Sequence, residues 1–236
     1  MNFLSRISWA SNEGIMAARR LFIFVEGSDD VRFFETIIKP RFERIFESVE
    51  LITFACTKSV KVDRFIRGIN AMHHSYIIVT DIDFEKSVPA KKSIILSRFS
   101  EADYQHIMVI IQEIESWYLA GIDDNGAKAL GIHVPARTDF VTKEHFIGWI
   151  PRYYPSKIVF MIEVLKHFSL SVAVEKNRSF RFFIEHYVIA NPVDAGLPEE
   201  TGVSLTETGP GNGVGFPGDD PGDGTTPPAP GGNRNK

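Results

Sequence analysis

Residues 21–30 read LFIFVEGSDD, and the reading of this stretch decides the fold. Leu21 to Val25 form an unbroken apolar run, the pattern of a strand covered on both faces. Glu26 follows at once, and Gly27 permits a tight turn from strand into helix. Asp29 and Asp30 then fall in the first helical turn, where the helix dipole favours negative charge. From Asp29 to about Phe46, the residues Val31, Phe34, Ile38, Phe42 and Ile45 recur at spacings of three and four, which is one helical face.

Working outward, the same alternation continues. Leu51–Ala55 reads as a second strand and Val60–Met72 as a helix with Val62, Phe65, Ile66 and Ile69 inward. Tyr76–Thr80 reads as a third strand, Ala90 to Phe99 as a helix, and Ile107–Ile111 as a fourth strand. Successive strand–helix–strand units dictate a parallel sheet with helices on both faces. The expected fold class is therefore α/β, with about four parallel strands. Ile114–Ala120, Thr142–Trp149, Ser156–His167 and Arg178–Tyr187 add a C-terminal helical region. The expected organisation is a helical lead-in over residues 1–20 (helix from about Asn12), an α/β core over 21–122 and a helical subregion over 123–190. A tail over 191–236 completes it. That tail holds 11 of the 18 Gly and 8 of the 13 Pro and has no periodic apolar face, so disorder is expected there.

Two of the strands end in acids. The first runs into Glu26-Gly27-Ser28-Asp29-Asp30 and the third into Asp81-Ile82-Asp83. In open parallel sheets the functional crevice lies beyond the carboxyl ends of the strands. Alternation along an extended chain would place Asp81 and Asp83 on one side, and Asp30 is placed to point back toward Glu26. Carboxylates converging there repel one another unless a hard divalent cation with oxygen ligands neutralises them, and Mg²⁺ (or Mn²⁺) suits carboxylate plus phosphate. Glu115, opening the helix after the fourth strand, is a further candidate ligand. Asp29 reads equally well as a helix cap. Lys86, Lys91, Lys92 and, later, Arg178 are candidate phosphate contacts.

Val25-Glu26-Gly27 with Asp30, followed by Asp81-x-Asp83 after the third strand, resembles the toprim domain. Ile114-Glu115-Ser116-Trp117-Tyr118-Leu119 and Asn177-Arg178-Ser179-Phe180-Arg181-Phe182-Phe183 resemble the later segments of OLD-like toprim proteins of bacterial defence loci. The resemblance spans about Leu21 to Tyr187 and implies a toprim nuclease. By it, Glu26 serves acid–base chemistry or binds metal, Asp81 and Asp83 hold Mg²⁺, and Asp30 joins the metal site. OLD-family proteins usually carry an ABC-type ATPase in the same chain, but no G-x-x-x-x-G-K-[ST] occurs here. That implies a separate ATPase partner. The arrangement resembles the two-gene PARIS anti-phage defence system, which implies a toxic effector of abortive infection acting on RNA, including tRNA, or on DNA.

Two rivals stand beside this reading. A phosphatase of the haloacid-dehalogenase type also uses Asp-x-Asp, but on the first strand and with Thr or Val two residues past the second Asp; here Glu85 stands there. A non-catalytic toprim module binding an ATPase is the other.

Bulk properties bound the rest. The 236 residues are 44% hydrophobic with 19 Phe, ample for a core. The formal charge of −4 is carried by the tail, whose seven acids face two bases, leaving the body near +1. One cysteine, Cys56, excludes an internal disulfide framework and fits a cytoplasmic location; it reads as a strand-end or core thiol. No secretory signal or spanning run is present, so no membrane partner is expected. Homo-oligomerisation is left open. His73-His74 reads as a helix end and Trp149–Tyr154 as a packed aromatic corner rather than a base-stacking patch.

Overall fold

The structure, a computed structural model, describes residues 20–188. The expected lead-in helix and the tail from Asn191 lie outside the described residues.

Four parallel strands form one sheet: β1 (Arg20–Val25), β2 (Ser48–Thr53), β3 (Ser75–Asp81) and β4 (Ile107–Ile110), in the order β2-β1-β3-β4. β1 pairs with β2 from Arg20↔Ser48 to Val25↔Thr53 and with β3 from Leu21↔Ser75 to Phe24↔Ile78. The expected α/β class with a parallel sheet covered on both faces is what the chain adopts.

The two faces bury alternate residues, as a period of two demands. Leu21, Ile23, Val25, Ile77, Val79, Met108 and Ile110 face one core. There they meet α1 (Ser28–Phe33), α2 (Lys39–Phe42), α5 (Ile114–Ala120), α8 (Lys157–Lys166) and α10 (Arg178–Phe183). Phe24, Tyr76, Ile78, Ile107 and Val109 face the other core, under α3 (Ser59–Ala71) and α4 (Val88–Arg98). Right-handed crossovers explain the division. The chain steps from β1 outward to β2 with α1 and α2 on one face. It then turns back past β1 to β3 and β4, which puts α3 and α4 on the opposite face. The reversal falls between β1 and β3, and their carboxyl ends therefore flank the crevice.

Between α1 and α2 the helix widens into a π-helical stretch, Phe34–Ile38. Pro40 lacks the N–H that would bond to the Thr36 carbonyl, which frees that turn to widen. Both Phe33 and Phe34 are buried there, with Trp117 5.9 and 6.1 Å from their rings.

A polar network locks the two later motifs together. Asn177, wholly buried, caps α10 by accepting from Phe180 N–H (2.9 Å) and Ser179 Oγ (2.8 Å). It donates to Ser116 Oγ (3.3 Å) and Thr138 Oγ1 (3.1 Å), and Trp117 Nε1 donates to Ser179 Oγ (2.8 Å). Buried polar atoms require such partners, and here they fix the start of α5 against α10.

Three elements differ from expectation. β2 lies at Ser48–Thr53, so Phe54 falls past its end and buries edge-on against Phe99. Cys56 is exposed in the following turn rather than in the core. Two further helices appear beside the expected α7 (Lys143–Gly148): α6 (Asp124–Leu130) and α9 (Leu170–Lys176). α6 shows little apolar periodicity and is held by its Asp123 cap and the left-handed Gly131 that ends it. α9 carries Val172 and Val174, β-branched residues that weaken a helical reading until tertiary contacts override it.

Candidate active site

Each acid at the crevice is placed by a local cause. Glu26 follows the last residue of β1. Its Oε1 accepts from Thr80 Oγ1 and from the Asp81 backbone N–H (3.3 Å), so β3 fixes the carboxylate and leaves Oε2 without a hydrogen-bond partner among the described residues. Asp30 folds back to accept from the Gly27 N–H (3.1 Å), closing the strand-to-helix turn. Gly27 itself is extended, and its backbone serves as the helix N-cap. Asp81 is the final residue of β3, and its Oδ1 is buried without a hydrogen-bond partner.

Asp83 departs from the expected geometry. β3 stops at Asp81, Ile82 turns into the second core, and Asp83 adopts a left-handed backbone (φ 52°). The carboxylate reaches the crevice by a turn, not by strand alternation, and pairs with the buried ammonium of Lys91. Glu115 opens α5 and is 3% exposed.

Glu26, Asp29, Asp30, Asp81, Asp83 and Glu115, with Glu113 and Lys143, line one open cleft of about 360 Å³. Acids from three chain segments, those following β1, β3 and β4, thus meet at the carboxyl edge of the sheet. Burial and the neighbouring charges of Glu26 and Glu115 push the Asp30 carboxyl up to about 7, against the backbone hydrogen bond from Gly27. Burial, followed by the charges of Asp30, Glu26, Glu115 and Asp83, raises Asp81 well above the usual carboxylate range. Asp29 behaves oppositely. Burial disfavours its charge, but hydrogen bonds from Lys157 and Arg32 outweigh that and hold it low.

The orphaned Asp81 oxygen, the all-oxygen donor set and the mutual repulsion fit a hard divalent cation. Among the described residues, no three of these groups already stand at coordination spacing.

Several residues were not legible as site members in the sequence. Lys157, from α8, donates to Glu115 Oε1 (2.6 Å) and Asp29 Oδ2 (2.9 Å). Glu113 accepts from the Lys143 backbone N–H, tying the start of α5 to α7. Thr80 had no signal beyond its place before Asp81. Conversely, the candidate phosphate contacts disperse. Lys91 is buried on Asp83, Lys92 donates to the Tyr104 carbonyl (3.1 Å), and neither Lys86 nor Arg178 lines the cleft, although both are exposed. Asp29 is an ion-pair partner, not a cap. The Trp149–Tyr154 segment packs only in part: Trp149 stacks on His145 and Tyr154 packs against Phe160, whereas Arg152 and Tyr153 are exposed, the Tyr153 hydroxyl donating to the Leu130 carbonyl (2.7 Å).

No family model and no curated protein matches this sequence. Among solved structures, the C-terminal region of the Burkholderia pseudomallei OLD protein is similar, at 15% identity and a TM-score of 0.44. The match covers 72% of this chain and 98% of that one. No helix among the described residues is long and apolar enough to cross a membrane.

Proposed function

We propose that this protein is a divalent-metal-dependent nuclease of the toprim kind that cleaves nucleic-acid phosphodiesters. The observation that carries the reading is the Asp81 carboxylate, buried with an unpartnered oxygen among Glu26, Asp30 and Glu115 at the switch point of the sheet. Glu26, Asp30, Asp81, Asp83 and Glu115 would hold Mg²⁺ or Mn²⁺. When bound, the ion supplies Lewis acidity at the scissile phosphate, lowers the pKa of water and neutralises charge on the leaving oxygen.

The chain's own residues supply the rest. Thr80 and the Asp81 N–H orient the Glu26 carboxylate, whose Oε2 is the atom available to ligate or to take a proton from the attacking water. Lys157 and Lys91 set cations against the flanking acids Glu115 and Asp83. They limit repulsion while leaving Asp81 and Asp30 as the unneutralised centre. Lys86 and Arg178 are proposed to contact the nucleic acid outside the cleft.

The resemblance of the Glu26–Asp30, Asp81–Asp83 and later motifs extends the proposal. The substrate is RNA, including tRNA, and the cleavage is the toxic step of an anti-phage defence system restrained by a separate ABC-type ATPase.

The test incubates the full chain with labelled RNA and DNA in Mg²⁺, Mn²⁺ or chelator. Glu26→Ala and Asp81→Ala should each abolish metal-dependent cleavage, and Asp81→Ala should abolish Mn²⁺ binding by calorimetry. Undiminished cleavage in both variants overturns the assignment. Co-purification with the ATPase of a neighbouring gene tests the partner.

A further inference from the structure

The turn that carries Asp83 also displays the most exposed large apolar side chain among the described residues. Phe84 is 102% exposed, whereas the next, Val60 and Tyr153, stand at 68% and 67%. Single exposed apolar residues on a surface are ordinary. Phe84 differs in its mounting and in its place.

The turn is pinned on both sides of the ring. Ile82 is buried in the core beneath α3 and α4, and its N–H donates to the Ile110 carbonyl (2.9 Å) and the Gln112 carbonyl (3.3 Å). The Glu85 N–H closes the turn on the Ile82 carbonyl (3.1 Å). Asp83, in the left-handed conformation, is anchored to buried Lys91, and Ser87 caps α4 immediately after the turn. The backbone that carries the ring is thus held on both sides, and the ring projects from it fully exposed. Phe84 directly follows Asp83, a cleft residue, so its backbone borders the acid cleft, although the ring itself is not part of the lining. Lys86, two residues on, is exposed as well.

We infer that Phe84 is a base-stacking platform that positions an unpaired nucleotide next to the scissile phosphate, so the substrate class is single-stranded or looped nucleic acid. This rests on the nuclease reading of the cleft. An aromatic face attracts any base that is not already stacked, without sequence preference, and Lys86 meets the adjoining phosphate. In a continuous duplex both faces of each base are occupied, so the ring has nothing to take.

The experiment measures binding of the full chain in chelator, by fluorescence anisotropy, to an RNA single strand, a DNA single strand and a blunt duplex. Phe84→Ala should weaken binding to the single strands about tenfold and leave duplex binding and the melting temperature unchanged. Phe84→Trp should restore single-strand binding, and its added emission should be quenched by the oligonucleotide. The two single strands separate RNA from DNA as the source of the base. If the parent cleaves nucleic acid and Phe84→Ala binds every form as the parent does, or loses duplex equally, the platform is overturned while the nuclease reading stands. If the parent neither binds nor cleaves any of them, both fall.

Discussion

Lys157 Nζ lies 2.6 Å from Glu115 Oε1, joining α8 of the helical half to an acid that is almost wholly buried at the sheet's cleft. The same ammonium reaches Asp29 on α1, so one side chain ties three segments. Removing it leaves the buried Glu115 carboxyl group without its ion-pair partner. Lys157→Met should therefore destabilise the protein by about 2 kcal/mol, less than a fully enclosed pair would lose because the lysine is partly solvated. Glu115→Gln in the same background should recover part of the loss. Urea denaturation of the four proteins of that cycle gives the coupling directly.

Metal-free stability should depend on pH through Asp30. Its carboxyl sits at about 7 in the folded protein against 3.8 for the free group. A group raised on folding stabilises fully below its unfolded pKa, and that contribution is lost as pH rises through the folded one. Asp30→Asn, compared with the parent in chelator, should gain up to about 4 kcal/mol near pH 8 and little near pH 4. Adding Mg²⁺ should shrink the difference by stabilising the parent. A constant difference across the range would show that Asp30 ionises freely.

Thr80 is a positioning residue for Glu26. Thr80→Val keeps the buried volume and removes the hydroxyl that donates to Oε1. Cleavage should fall about tenfold to a hundredfold, chiefly in kcat, with the circular dichroism spectrum unchanged. Thr80→Ser should recover most of the rate.

Ser179→Ala tests the polar lock between α5 and α10. It strands the Trp117 indole N–H and one face of Asn177 in the core. A loss of about 1–3 kcal/mol in urea denaturation is expected, the cost of leaving a buried donor unmet. Activity should fall less than stability at low temperature, since Glu115 shifts only as α5 loosens.

How much of this was open to reading depended on the range of the interaction. The strand β1 and the helix after it were legible because covalent succession writes them. An apolar run, a glycine and a three-and-four period are local patterns, and burial on both faces requires them. Glu26, Asp81 and Asp83 were legible as a group because strand ends in a parallel sheet converge at one edge whatever the details. The β2 boundary was not, since residues 48–55 are apolar enough to pair in either frame and only the neighbour's register selects one.

The sequence by itself determined the α/β class, the parallel sheet and which strand ends carry acids, because periodicity and chain succession leave few alternatives. Only the tertiary structure decided how those acids are held. Lys157 is 128 residues from Asp29, and Thr80 is 54 from Glu26. Nothing local marks a lysine on α8 as the partner of acids on α1 and α5, or separates buried Lys91 from exposed Lys86. Asp83 likewise read as part of an extended strand end, and a left-handed turn made it a pinned acid next to the bare ring of Phe84. Ion pairing and burial depend on distance in space, and that is settled only when the sheet and both helical layers close around the cleft.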